Sequence, residues 1–131
     1  MASELKQVIL MRRDLRLRRA ALAALTAKAS AEFFIDNNTS DKDDVLRVQL
    51  SPQESEWINS GCTRIVLGVT SETALKSLAF KAEVAGIACY PVVGRSPELY
   101  EREGELETLA VALGPDESSK IDEITGNLKL L

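Results

Sequence analysis

Apolar residues fall in short runs separated by polar turns, and the spacing inside the runs alternates between strand-like and helix-like. Residues 5–11 (LKQVILM) form a brief apolar run with β-branched members, which predicts a buried first strand. Residues 16–34 are rich in Ala and Leu and predict a long helix. Its stripe of Leu22, Leu25, Ala29 and Phe33 lies on one helical face, with Phe33 and Phe34 closing it against the core and Asp14 in position to cap it. Residues 36–44 (DNNTSDKDD) are turn-rich and read as a loop. Ser51-Pro52-Gln53-Glu54 then sets a capping box with Pro at the first helical position, opening a short helix that holds Trp57 and stops at Gly61.

The second half repeats the alternation. Residues 64–69 (RIVLGV) predict a second strand. Thr70 or Ser71 caps a helix with the stripe Leu75, Leu78, Ala79 and Ala82, which Gly86 ends. Residues 87–93 (IACYPVV) predict a third strand, placed at a sheet edge or bulge by Pro91. Residues 94–105 read as an acidic loop, and residues 106–113 as a fourth strand. Gly114-Pro115-Asp116 then turns into a last helix carrying Ile121 and Ile124. The order β-α-α-β-α-β-β-α over residues 1–131 predicts one α/β domain, a three-layer sandwich with helices on both faces of a four-stranded sheet. The sheet should be mixed, because no helix separates the last two strands.

Composition narrows the chemistry. A chain of 131 residues, 45% hydrophobic and 27% charged, is sized for a single domain with its own core. It has no histidine, so neither a Ser-His-Asp nor a Cys-His nucleophile can form. Cys62 and Cys89 lie in or beside apolar runs and read as small buried hydrophobes, too few for a disulfide scaffold or a zinc site. The start MASELKQVILMRRD lacks the form of a signal peptide, and the most apolar helical stretch, residues 20–27, is far too short to cross a bilayer. A cytoplasmic, reducing location is therefore the expectation. Domains of this kind with spare apolar helix surface often pair as C2 dimers, so a homodimer is expected too.

Charge is unevenly placed. The whole chain carries −4, yet residues 1–30 hold seven basic groups against two acidic ones. Five of the seven, Arg12, Arg13, Arg16, Arg18 and Arg19, fall where the first strand ends and the helix begins. Cations there oppose the helix macrodipole by some tenths of a kcal/mol each. A bound phosphate reverses that effect, since amides and arginines then converge on one anion, and strand ends are where open α/β sheets bind ligands. The turn is thus a candidate contact for phosphate or RNA backbone. The plainer reading is a solvated basic turn, with some arginines paired to Glu98, Glu101, Glu103, Glu105 or Glu107.

Several motifs carry a family resemblance. The ending Lys120-Ile121-Asp122-Glu123-Ile124-Thr125-Gly126-Asn127-Leu128-Lys129-Leu130-Leu131 closely resembles that of type 2 peptidyl-tRNA hydrolases. Arg13-Asp14-Leu15, the segment 57–67 (WINSGCTRIVL), Ser71-Glu72-Thr73-Ala74-Leu75, Gly94-Arg95-Ser96 and Ala112-Leu113-Gly114-Pro115 resemble further family landmarks in the same order. The resemblance implies a small α/β sandwich that cleaves the ester between a peptide and the 3′ ribose of tRNA, with no metal or organic cofactor. It carries a catalytic role weakly onto Arg19 and Ser96, and phosphate or carbonyl contacts onto Arg95.

The departures concern the chemistry. On the family pattern, Arg19 stands at the first lysine of the opening helix, Ala21 at the second, Leu25 at a glutamine and Lys28 at the histidine. Val92 takes the place of an aspartate and Pro97 that of a glutamine. Ester hydrolysis needs a positioned water, a proton acceptor and oxyanion donors, and guanidinium does not accept a proton. Two functions follow: a peptidyl-tRNA hydrolase with a rearranged residue set, or a non-catalytic relative binding RNA, a phosphorylated ligand or a protein. Glu98 or Glu101 folded back beside Arg19 and Ser96 would favour the first. Val92 and Leu25 filling the cleft with their apolar side chains would make catalysis there hard to defend and favour the second.

Overall fold

A computed structural model describes residues 4–95 and 106–131. The first apolar run is a strand, β1 (Leu5–Arg12), and its last six residues are buried. It is followed by α1 (Arg19–Asp36), α2 (Pro52–Asn59), β2 (Arg64–Val69), α3 (Glu72–Val84), β3 (Cys89–Gly94), β4 (Glu107–Glu117) and α4 (Ser118–Thr125). The strands form one sheet in the order β2-β1-β4-β3. β1 runs parallel to β2 and antiparallel to β4, and β3 is antiparallel to β4, so the sheet is mixed.

Side chains alternate across this sheet, and each face has its own helices. Val8 and Leu10 of β1 point into one cluster with Leu75 and Ala82 of α3 and Ile121 of α4. Ile9 and Met11 point the other way, onto Ala29 and Phe33 of α1 and Trp57 of α2. The molecule is therefore the expected three-layer sandwich. Phe33 anchors the second layer, meeting Trp57 and Tyr90 edge-on at centroid distances of 6.0 and 5.8 Å, contacts worth about 0.5–1.5 kcal/mol each. Trp57 is fully buried, as a packing anchor would be, and its Nε1 donates to the Thr63 carbonyl at 2.9 Å.

Local signals set most element ends. Ser51 and Glu54 form the reciprocal capping box, and Ser71, not Thr70, caps α3 through the Ala74 amide. Pro91 does sit on the edge strand, one residue before a register shift between Val92 and Val93. Three expectations are corrected. α1 begins at Arg19 rather than residue 16, because Arg16 has φ 52° and cannot continue a helix, and Asp14 faces Arg12 instead of capping. β3 starts at Cys89 rather than at residue 87. β4 runs on past residue 113, and Asp116 and Glu117 pair with Lys6 and Leu5, so Gly114-Pro115-Asp116 lies inside the strand and not in a turn.

The β2 edge is covered by the C-terminal tail. Gly68 N donates to the Lys129 carbonyl at 3.0 Å, and Leu131 N donates to the Val66 carbonyl at 3.2 Å. That pairing satisfies edge groups that would otherwise invite another strand. Among the described residues, no helix is long and apolar enough to cross a membrane. The acidic insertion with Glu98, Glu101 and Glu103, and with it Ser96 and Pro97, lies outside the described residues.

Candidate functional site

The five arginines of the β1–α1 turn do not act as one group. Arg12, at the end of β1, is 4% exposed and turned inward. Its guanidinium makes two bonds to Asp14, at 2.6 and 3.0 Å, and reaches Glu107 and the Thr108 carbonyl of β4, each at 3.2 Å. The Asp14 bond, foremost among these, pushes the guanidinium pKa above its ordinary value against the cost of burial. Of the acidic partners expected for the turn, Glu107 is thus realised, and on the buried member. Arg12 ties β1 to β4, an arrangement suited to positioning the turn rather than to meeting a ligand.

Arg13 points the opposite way and donates to the Leu130 carbonyl at 2.5 Å, fastening the C-terminal tail. Arg16, Arg18 and Arg19 remain exposed on the turn. Arg18 is the N-cap of α1 but gives no side-chain cap, and the first turn of the helix has no acidic residue. The leading amides of α1 and these guanidinium groups therefore lie together at one end of the sheet. The arrangement is electropositive, as phosphate contacts require.

Beside this turn, α1 and β3 enclose a cleft of about 310 Å³. Leu17, Ala21, Ala24, Leu25 and Lys28 line it from the helix side. Val92, Val93 and Gly94 of β3, Arg95 just beyond it and Leu109 of β4 line it from the sheet. The helix presents small residues at positions 21 and 24, and that missing volume is what leaves the cleft open. Of the positions carried over from the family pattern, Ala21, Leu25, Lys28, Val92, Gly94 and Arg95 all meet here; Arg19 stands at the first position of α1, beside the turn.

The cleft's chemistry is apolar with two cations. Val92 is 2% exposed, and Lys28 and Arg95 stand on the exposed rim. Among the described residues no carboxylate lines the cleft. The arrangement can hold an apolar group and draw an anion or a carbonyl oxygen toward Lys28 and Arg95. Among the described residues, it provides no acceptor for a proton from water.

Sequence reasoning missed Leu17, Ala24, Val93 and Leu109 as lining residues. For Ala24 a signal existed: it lies on the same flank of α1 as Ala21, Leu25 and Lys28, which are spaced by 4 and 3. A second hollow, of about 510 Å³, lies between α3 and α4 and is lined largely by polar groups including Lys81, Asp122 and Glu123. It shares no residue with the cleft, and Asp122 there is bonded to Lys6 at 2.6 Å.

Comparison with known proteins bears on the whole chain. The family model "Peptidyl-tRNA hydrolase PTH2" matches residues 5–131. The peptidyl-tRNA hydrolase of Methanocaldococcus jannaschii is 32% identical over 127 residues, covering 97% of this chain and 100% of its relative. That of Haloquadratum walsbyi is 35% identical over 126 residues, covering 96% and 99%. That of Nanoarchaeum equitans is 35% identical over 127 residues, covering 95% and 97%. A solved structure of a protein of unknown function from Agrobacterium tumefaciens strain C58 matches all of this chain and 99% of its own, with a TM-score of 0.57 at 15% identity, a likeness of fold. By family model and by full-length relatives, the chain belongs to the type 2 peptidyl-tRNA hydrolase family.

Proposed function

We propose that this chain recognises the acylated 3′ end of tRNA and hydrolyses its ester weakly. The exposed arginines of the β1–α1 turn, Arg16, Arg18 and Arg19, take the RNA backbone, and Arg95 draws the phosphate or carbonyl at the cleft. The observation that carries this reading is the cleft itself. It gathers the positions of the family pattern beside a basic turn, yet holds Ala21, Leu25 and Val92 where that pattern has lysine, glutamine and aspartate. Positioned proton transfer is worth about 10²–10⁴-fold in rate. Its loss sets the expected deficit relative to family members that keep the carboxylate.

The test is to mix the protein with N-acetyl-aminoacyl-tRNA and follow release of free tRNA, with Arg19→Ala alongside. Salt-dependent retardation of the tRNA with release about 10²–10⁴-fold below a family hydrolase supports the reading. Release at the full family rate overturns the weak-hydrolysis half and makes the chain an enzyme with a rearranged residue set. Absence of both binding and release removes tRNA from the account.

A further inference from the structure

Resting on the reading above, we propose that the cleft between α1 and β3 seats the side chain of the esterified amino acid. On this proposal the protein selects leucyl- or phenylalanyl-type acyl ends over glycyl ones and rejects basic ones. Two observations point there. The walls facing each other are aliphatic on both sides, with Leu17 and Leu25 from the helix side and Val92 and Leu109 from the sheet. A volume of about 310 Å³ lies at the small end of ligand sites, roughly 300–1,000 Å³, and is about ten times a water's share of the liquid. That suits one amino-acid side chain with its adjoining peptide unit, and is too small for a folded partner.

The second observation is charge. Lys28 and Arg95 both line the cleft, and neither has a salt bridge or side-chain hydrogen bond to any described residue. A lysyl or arginyl side chain entering there would meet two like charges in a partly desolvated space. An aliphatic or aromatic side chain removes apolar wall from water and leaves both cations free for the ester carbonyl or the nearest phosphate. Selectivity of this kind comes from Ala21 and Ala24, whose small size opens the space, together with the cations that define what may not enter it.

The experiment uses the full chain and probes that cannot be cleaved: a short RNA ending in 3′-amino-3′-deoxyadenosine, amide-linked to N-acetyl-leucine, N-acetyl-glycine or N-acetyl-lysine, and the same RNA unacylated. The corresponding acylated nucleosides are measured separately by calorimetry. The leucyl probe should bind about 10–200-fold tighter than the glycyl probe, and the lysyl probe no tighter than unacylated RNA. Ala24→Trp, on the exposed side of α1, should fill the cleft and collapse the leucyl-to-glycyl ratio to near one, with circular dichroism verifying the fold. Lys28→Glu should restore binding of the lysyl probe. Equal binding of leucyl and glycyl RNA overturns the inference while leaving tRNA recognition intact. Failure of all RNAs to bind, with leucyl nucleoside still preferred over glycyl, overturns tRNA recognition and keeps the side-chain site. Equal binding of both nucleosides overturns the side-chain site whatever the RNAs do.

Discussion

Arg13 crosses the face of Gly68, and a Cβ on that glycine would collide with the arginine Nε. The contact joins the first turn of the chain to its last residues, because the same guanidinium bonds the Leu130 carbonyl while Gly68 N bonds the Lys129 carbonyl. A glycine in a buried strand is normally a weakness. Here its bare Cα gives an arginine passage to the C-terminal tail.

Gly68→Ala should therefore displace Arg13 without unfolding the protein, since the clash is with the far end of a flexible side chain. One hydrogen bond of about 1 kcal/mol is lost, offset in part by the 0.4–1 kcal/mol that replacing glycine removes from unfolded-chain entropy, so about 1 kcal/mol bounds the net change. Hydrogen exchange at the Leu131 amide should accelerate by up to about fivefold, the equivalent of that one bond, while core amides keep their protection. Unaltered exchange there would show that the tail is held by its backbone pairing alone.

The arginines should separate by function in a way their clustering hides. Arg12→Ala removes one partner of a buried ion pair, costing toward the low end of about 3–5 kcal/mol because Asp14 is still 37% exposed. Arg16→Ala and Arg19→Ala, both exposed, should change stability by about 0.5 kcal/mol or less. Each should also lower the slope of log affinity for RNA against log salt by about 0.7–0.9 if it meets one phosphate. Urea titrations and salt-dependent binding of the same variants make the comparison.

How much of this was legible follows the range of the signals. The capping box at Ser51 and Glu54, the β2 run and the edge position of Pro91 were readable because each depends on neighbours in sequence. The start of α1 was not. Its true start depends on the left-handed backbone at Arg16 and on Asp14 being drawn to Arg12, whose own burial is set by Glu107, 95 residues away. The extension of β4 rests likewise on pairing with Lys6 and Leu5, which no periodicity announces. For the site, motif resemblance gathered Ala21, Leu25, Lys28, Val92 and Arg95, but only the fold showed that alanines at 21 and 24 leave an open cleft.

Glu72 gives an acid-sensitive link between α3 and β4. The Thr108 amide donates to its Oε2 at 2.8 Å, and that bond holds the carboxyl below its ordinary 4.5 against partial desolvation, with Lys76 assisting. A folded pKa below the unfolded one stabilises fully above pH 4.5, and the contribution disappears as pH falls through the folded value. Glu72→Gln should accordingly narrow the gap between urea midpoints at pH 6 and pH 3.5. An unchanged gap would assign the acid sensitivity to other carboxylates.

Cys89 behaves in the opposite sense. Burial, aided by nearby Glu83, pushes its thiol from 9.0 up to about 11, so the folded state favours the neutral form. That contribution is complete below pH 9 and lost as pH rises toward 11. Iodoacetamide at pH 8.5 should label Cys89 slowly in the folded protein and readily in urea. Cys89→Ala should flatten the alkaline fall in stability over the same interval.

Val92 is where the missing carboxylate can be put back. It is 2% exposed, faces the cleft and packs with Ala110 and Ala112 on the α1 side of the sheet. Val92→Asp should cost about 1–3 kcal/mol for burying a polar group, eased by Lys28 and Arg95 across the same space. If the lack of a proton acceptor is what limits the chain, hydrolysis of N-acetyl-aminoacyl-tRNA should rise by about 10²-fold or more in this variant and not in Val92→Asn. The rate should climb with pH as the new carboxyl ionises and level off once it is fully charged. A folded Val92→Asp protein that binds tRNA but gains no rate would instead locate the deficit at positions 21 and 25, where the helix offers alanine and leucine to a water that also needs orienting.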